Sequence, residues 1–301
     1  MTSSEIDWPA FSRLLTVQVP TSLWSWWTVV ALLALANYKS LPGTWTARTL
    51  YHFNTSFSRG ARHTVPSPTS ENPKRRVAIV QKASPSDSIQ EHHPLFQADI
   101  ISTHVSLFEL DFNMHKSNST YFTDLDVARI KLLGRIIAPA WPMNNMRIEY
   151  KGRDGIARRE RVRGRAALVL GATYTSFKRE MAAFASYDVE SRILGWDSRW
   201  LFVGSWFVSR KGKPRQLFAS SLSKYIIKKG RITVKPEQFL SEAGWITSRR
   251  DEIGSADAQM ASGSWTWQEI EEQRVKGMAV VDTWGAADLR LEKMYSDEKA
   301  Q

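Results

Sequence analysis

Asp111-Phe-Asn-Met-His115-Lys-Ser-Asn118-Ser-Thr-Tyr121 runs directly into Phe122-Thr-Asp-Leu-Asp126-Val-Ala-Arg129-Ile-Lys-Leu-Leu-Gly-Arg135, and this junction decides the fold. Upstream, Ile100 to Leu110 is rich in β-branched and apolar residues and reads as a strand. Downstream, Tyr121, Leu125, Ala128, Leu132, Leu133 and Ile136 recur at three- and four-residue spacing, the stripe of an amphipathic helix with one buried face. A strand therefore hands over to a helix through the polar turn at 111–120. Asn118, Ser119 and Thr120 are all competent N-caps, so the helix starts there with free backbone N–H groups facing the turn. Such a helix end carries roughly half a positive charge and can stabilise an oxyanion. Asp111 and His115 flank that spot. Local chemistry alone also allows an ordinary turn, because Asp, Asn and Ser satisfy backbone groups before many helices.

The rest of the central region is rich in strand formers. Runs at about 166–178, 186–195, 199–210 and 215–228 read as strands, and Trp200-Leu-Phe-Val-Gly-Ser-Trp-Phe-Val is the densest of them. Lys211-Gly-Lys-Pro reads as a hairpin turn. One long helix followed by consecutive antiparallel strands gives an α+β class. Trp196-Asp197 reads as a packed Trp and a turn Asp in a strand connection. Beyond Ala243, Ser264-Trp-Thr-Trp-Gln-Glu-Ile-Glu-Glu-Gln-Arg-Val reads as a helix with a Ser or Thr cap and early acids.

The turn resembles the signature of hotdog-fold acyl-CoA thioesterases of the 4-hydroxybenzoyl-CoA thioesterase superfamily, Asp-x-x-x-His-x-Asn-Asn-x-x-Tyr followed by a helix with an acidic residue and Ala-Arg. Asp111, His115, Asn118, Tyr121, Asp126 and Ala128-Arg129 fall in register, and Ser117 stands where the first Asn of the pair would be. A second block runs Ala167-Leu-Val-Leu-Gly-Ala-Thr-Tyr-Thr-Ser-Phe-Lys-Arg-Glu-Met, then Phe184-Ala-Ser-Tyr187, then Arg192-Ile-Leu-Gly-Trp196-Asp197-Ser-Arg-Trp200-Leu-Phe. It resembles animal THEM-type thioesterase-like proteins and fungal thioesterase-like proteins encoded beside secondary-metabolite pathways, including the leucinostatin-cluster family. The likeness covers roughly residues 95–245 and implies a hotdog fold, a curved antiparallel sheet wrapped around a central helix. It further implies a homodimer with sites near the helix start.

The chain has 301 residues, 43% of them hydrophobic, enough for one substantial core with extensions left over. It has no cysteine, which excludes disulfides, thiolate nucleophiles and cysteine-ligated zinc. The net charge of +11 is spread in short groups such as Lys74-Arg-Arg and Arg158-Arg-Glu-Arg-Val-Arg-Gly-Arg165, with no nucleic-acid-binding module beside them. Anionic lipids and the phosphates of coenzyme A suit this charge better. The 158–165 group also reads simply as a solvated basic loop.

Five segments are expected. Residues 1–20 are polar and mixed in charge. Residues 21–40 form a membrane-anchor helix, the centre of an uncharged window from Leu14 to Tyr38, with Trp24, Trp26 and Trp27 suited to an interfacial belt. A cleaved signal peptide and a buried or interfacial helix compete with that reading, although Glu5 and Asp7 make a poor signal n-region. Downstream Lys39, Arg48, Arg59, Arg62, Lys74, Arg75 and Arg76 place the catalytic domain on the cytosolic face, where the sequons at Asn54 and Asn118 stay unmodified. Residues 41–95 are a linker or arm rich in proline, with a short strand at Arg76 to Gln81; 96–245 are the hotdog domain; 246–301 are a helical extension.

The resemblance implies hydrolysis of an acyl thioester on coenzyme A or a carrier protein. Asp111 would be general base or nucleophile, His115 and Asn118 would orient the turn and the water, and Asp126 would be a secondary acid. Backbone N–H groups near Asn118 to Thr120 would hold the oxyanion. No cofactor or metal is expected: His92, His93 and His104 lack acidic partners at ligand-like spacing and read as surface or strand residues. A membrane-tethered hotdog that binds acyl chains or a synthase partner without turnover is the rival reading, and a hotdog dehydratase a third.

Overall fold

The structure is a computed structural model that describes residues 26–62, 93–152, 154–210, 214–246 and 265–299. In chain order its elements are α1 (Trp26–Ala36), α2 (Thr44–Arg62), β1 (Asp99–His104), α3 (Asn118–Ile137), β2 (Arg147–Lys151), β3 (Ala157–Arg161), β4 (Ala166–Phe177), β5 (Ser186–Trp196), β6 (Leu201–Ser209), β7 (Leu217–Lys229), β8 (Ile232–Val234), α4 (Pro236–Glu242) and α5 (Trp267–Lys299).

The main sheet is antiparallel in the order β1-β5-β6-β7-β4, with β8 added to β7. Strand β5 shows why it wraps a helix. Tyr187, Val189, Ser191 and Ile193 are buried while Asp188, Glu190 and Arg192 alternate outward, the period-2 pattern of a strand with one covered face. The covering element is α3, whose Tyr121, Leu125, Ala128, Leu132, Leu133 and Ile136 are all buried. Tyr121 and Leu125 join Val189 and Phe207 in one apolar cluster, and Leu132 and Ile136 join Ile193, Val203 and Ile227 in another. This is the α+β hotdog arrangement expected from the sequence. On the other face of the sheet, α5 packs Met278, Val281 and Trp284 against Leu194, Phe202 and Leu222. Thr266 caps α5, its hydroxyl accepting from the Glu269 N–H at 3.3 Å while its own N–H donates to the Glu269 carboxylate at 3.0 Å.

Several expectations change. The strand read up to Leu110 stops at His104, because Ser106 and Glu109 form a capping box around a 3₁₀ turn at Leu107–Glu109: the Ser106 N–H donates to the Glu109 carboxylate at 2.9 Å. The basic loop at 158–165 is in part a strand, β3, paired in register with β2. Residues 44–62, read as the start of an arm, are helix α2 packed along α3. The two backbones approach so closely that a Cβ on Gly60 would lie 2.4 Å from the Arg135 carbonyl oxygen. His93 is buried rather than superficial, its ring accepting from the Leu95 N–H at 3.2 Å.

The expected anchor is seen as the 11-residue α1, with Trp26, Trp27, Leu32, Leu33 and Leu35 exposed. Among the described residues no helix is long and apolar enough to cross a membrane. Nor does the apolar segment run on to residue 40: the chain turns at Tyr38–Ser40, and Asn37 and Lys39 are buried in the domain. The strand read at 76–81, the turn read at 211–213 and most of the proline-rich arm lie outside the described residues.

Candidate active site

The turn between Leu110 and Lys116 closes as a narrow loop. Leu110 and Lys116 pair as an isolated bridge, the Asp111 N–H donates to the His115 carbonyl at 2.9 Å, and the Met114 N–H donates to the Asp111 carbonyl at 3.0 Å. Met114 takes the left-handed conformation, φ 61°, to make the reversal. The loop is then pinned to the segment joining β4 and β5. His115 bridges Ala182, and the Lys116 N–H donates to the Met181 carbonyl at 2.8 Å. The Ser117 N–H donates back to the Glu109 carbonyl at 2.7 Å, so the two ends of the turn are fastened together.

Within this frame Asp111 is half-buried, and its Oδ1 accepts from the backbone N–H of Asn113 at 2.9 Å and of His115 at 3.3 Å. Its Oδ2 has no protein partner among the described residues. Helix α3 begins at Asn118 with Ser117 as N-cap. The Thr120 N–H already donates to the Ser117 carbonyl at 3.0 Å. That narrows the expected oxyanion donors to the Asn118 and Ser119 N–H groups, which as the first of a helix have no intrahelical acceptor. The Ser117 hydroxyl, in place of the family's first Asn, lies 3.0 Å from the Ser119 hydroxyl.

The other sequence-predicted residues divide. His115 stays at the turn, its Nε2 3.4 Å from the Glu180 carboxylate on the β4–β5 segment. Asn118 is exposed at the helix start. Asp126 lies two turns along α3 and ion-pairs with Arg129 of its own helix. The Arg129 guanidinium is buried, donating to the Ser223 hydroxyl at 2.7 Å and to Thr173 at 3.2 Å under the sheet. Asp126 therefore serves to neutralise a buried arginine, and the structure does not bring it to the turn through any contact.

Sequence reasoning missed the buried acid and its partners. Asp124 is fully buried near the end of the second turn of α3. Its Oδ2 accepts from the ammoniums of Lys39 at 2.9 Å and Lys116 at 3.1 Å and from the Tyr187 hydroxyl at 2.5 Å, while Oδ1 accepts from Arg48 at 3.2 Å. Glu109 takes the same two ammoniums, Lys39 on Oε2 at 2.8 Å and Lys116 on Oε1 at 2.7 Å. Burial alone would push the Asp124 carboxyl up; Lys116, Lys39, the Tyr187 hydroxyl and Arg48 outweigh it and hold it well below the usual carboxylate range. Burial pushes the Lys39 ammonium down, and the neighbouring Lys116 charge adds to it, against the upward pull of Asp124 and Glu109. Burial also raises Tyr187, reinforced by the two carboxylates. A readable signal existed for Glu109, the Ser106-x-x-Glu109 capping box. None marked Lys39, which is 85 residues from Asp124.

Apolar surface completes the site. Tyr121 packs edge-on against Phe177 and tilted against Phe207, both at 5.0 Å, and burial pushes its hydroxyl up to about 12. Tyr121 therefore stays neutral, its ring packed between Phe177 and Phe207.

A family model described as the thioesterase-like superfamily matches residues 105–241, from the end of β1 to α4. Thioesterase lcsJ of Purpureocillium lilacinum is 60% identical over 309 residues, covering 97% of this chain and 100% of that protein. This chain belongs to the thioesterase-like superfamily. Other members are more distant: thioesterase poxG of Penicillium oxalicum is 29% identical, covering 93% of this chain and 89% of that protein. The probable thioesterase YBR096W of Saccharomyces cerevisiae is 31% identical over 221 residues, 72% of this chain and 79% of its own length. The superfamily match takes in Asp111, Glu109, Lys116, Asp124 and Tyr187 but not Lys39 or Arg48. Those two lie N-terminal to the matched residues.

Proposed function

We propose that this thioesterase-like chain hydrolyses acyl thioesters at the Asp111 turn. The observation that carries the reading is the carboxylate itself: one oxygen is held by two backbone N–H groups and the other has no protein partner among the described residues, on the turn that opens helix α3. In the general-base route Asp111 takes a proton from water as the water oxygen bonds to the thioester carbon. In the nucleophilic route the carboxylate forms that bond and water then splits the anhydride. Either way the carbonyl oxygen becomes an oxyanion facing the Asn118 and Ser119 N–H groups. The carbon–sulfur bond then breaks, and the thiolate leaves and takes up a proton. His115, held between Ala182 and Glu180, keeps the turn against the β4–β5 segment.

The substrate class is an acyl-CoA or a carrier-protein-bound acyl chain. Kinship with fungal secondary-metabolite thioesterases supports release or editing of a polyketide or lipopeptide acyl intermediate. The exposed edge of β4, with Val169, Leu170, Tyr174 and Phe177, supports homodimerisation through that strand. The exposed aromatic and aliphatic side chains of α1 support attachment to a membrane surface, with the domain on the cytosolic side as the flanking lysines and arginines indicate.

The test is thiol release by the full chain from a panel of acyl-CoAs and acyl-N-acetylcysteamine thioesters. Asp111→Asn should lower kcat by about 10²–10⁴-fold with the melting temperature unchanged. Full activity in that variant would exclude the mechanism. Tight acyl-CoA binding without thiol release from any substrate would favour the non-catalytic reading.

A further inference from the structure

The described residues leave one polar construction unused by the mechanism, the buried ring of charge under the turn. Lys116 bridges Glu109 Oε1 and Asp124 Oδ2, and Lys39 bridges Glu109 Oε2 and Asp124 Oδ2. The four side chains thus close a ring of alternating sign, with side-chain exposures between 0% and 5%. Three of them belong to the turn and its helix: Glu109 opens the turn, Lys116 closes it, and Asp124 stands on α3. The fourth comes from a segment 70 and 85 residues away in the chain.

Lys39 does not arrive alone. Its ammonium also donates to the His104 carbonyl at 2.8 Å, at the end of β1. The Asn37 side-chain oxygen accepts from the Phe108 N–H at 2.8 Å, the hydroxyls of Ser40 and Ser106 lie 2.6 Å apart, and Arg48 reaches Asp124. The segment 37–48 is therefore stitched through four residues, Asn37, Lys39, Ser40 and Arg48, to the stretch that enters the turn and to the acid beneath it. We propose that Lys39 is a positioning residue for the Asp111 turn, and that the segment 37–48 is a clasp belonging to the site rather than a tether before it.

The physical reason is the ring's rigidity. Glu109 moves with the turn that carries Asp111, whereas Asp124 moves with the helix that carries the Asn118 and Ser119 N–H groups. Two ammoniums shared by both carboxylates fix the distance between those bodies, in a dry setting where charge-assisted hydrogen bonds are strong and directional. With Lys39 removed, Lys116 is the one ammonium still shared by the two carboxylates, and the ring opens. Positioning of this kind acts on the reacting geometry, and small misplacements cost up to about a hundredfold in rate.

The kinetic consequence rests on the thioesterase reading, so the experiment carries an independent readout. In full-length Lys39→Met, thiol release from an acyl-CoA should show kcat lower by on the order of tenfold to a hundredfold, with KM changed by no more than about threefold. Hydrogen–deuterium exchange should show protection lost over 109–121 and kept in β5, β6 and β7. Asn37→Ala, which deletes one outer stitch, should move both readouts the same way by less and serves if Lys39→Met does not fold. Gly277→Ala, a destabilising change on the far face of the sheet, is the control and should leave kcat alone. Unchanged kcat in a folded Lys39→Met chain would overturn the proposal, as would an equal loss of kcat in the control. If the wild-type chain releases no thiol from any substrate, the thioesterase reading falls, while exchange still decides the clasp: unaltered protection over 109–121 would overturn it.

Discussion

Replacing Asp124 by Asn removes one charge from the centre of the buried ring while keeping the side chain's shape. The wild-type carboxylate accepts four hydrogen bonds, from Lys39, Lys116, Tyr187 and Arg48, with no exposure to solvent. Its loss leaves Lys39 and Lys116 with the single carboxylate of Glu109 and takes from Arg48 the carboxylate it bonds. Breaking a buried ion pair by removing one partner costs about 3–5 kcal/mol. Asn keeps an acceptor for some of the donors, so the lower end, about 3 kcal/mol, is expected at pH 7. At about 2–4 °C per kcal/mol for a chain of this size, that is a drop of roughly 6–12 °C in Tm. Urea unfolding of both proteins across pH measures it. The Asp124 carboxyl is held below its ordinary range in the folded state, so its contribution is complete above the unfolded carboxylate value of about 4. As pH falls further, the unfolded chain takes up a proton that the folded chain refuses, and wild type loses its advantage. The gap between wild type and Asp124→Asn should therefore be constant from pH 7 to about 5 and narrow below about 4. A difference under about 1 kcal/mol at pH 7, or a gap that does not narrow in acid, would refute the reasoning.

Two further predictions concern other parts of the molecule. His93 is buried against Trp265, and burial lowers its imidazole to about 4 despite the opposing charge of Glu269. Folding stability should fall as pH drops from about 6.5 to 4, by at most roughly 3 kcal/mol, and His93→Asn should flatten that window in urea unfolding; an unchanged slope would exclude His93 as its source. On the outer face, a Cβ on Gly277 would lie 1.8 Å from the Leu194 carbonyl oxygen, so α5 can lie on β5 only with glycine there. Gly277→Ala should cost about 1–3 kcal/mol and expose α5 to limited proteolysis, whereas wild-type resistance would show that the helix accommodates the methyl by shifting.

The parts of this fold legible in the sequence are those whose signal is local. Strands β4 to β7 fall within two or three residues of the runs read from their β-branched and aromatic residues, since alternation along β5 directly records which face α3 covers. The start of α3 is legible to within a residue: Asn118, Ser119 and Thr120 read as caps before the apolar stripe, and the cap is Ser117, just ahead of them. The end of β1 was misread because Val105, Leu107 and Leu110 are good strand formers, and the Ser106–Glu109 capping box outweighed their propensity. Lys39 illustrates what local reading cannot reach. It stands at the end of an apolar run and reads as a flanking charge, yet its four oxygen partners lie 65 to 148 residues further on. Asp124 was passed over for Asp126, two residues away, because helical phase and not residue type decides which of the two points inward, to the ammoniums, and which lies 41% exposed beside Arg129.

The clasp also imposes an order on synthesis. Lys39 leaves the ribosome 85 residues ahead of Asp124, an interval of about 4–17 s at 5–20 residues per second. For the first 65 residues of that interval Lys39 has none of its oxygen partners, and α1, apolar on all sides, is already outside the exit tunnel. Tyr187, the last member of the cluster, follows later still, 148 residues after Lys39. The ring around Lys39 therefore cannot close until Asp124 has been made, and the hydrophobic helix next to it emerges first. Whatever shelters that helix in the meantime, a chaperone or a lipid surface, meets this protein before the Asp111 turn exists.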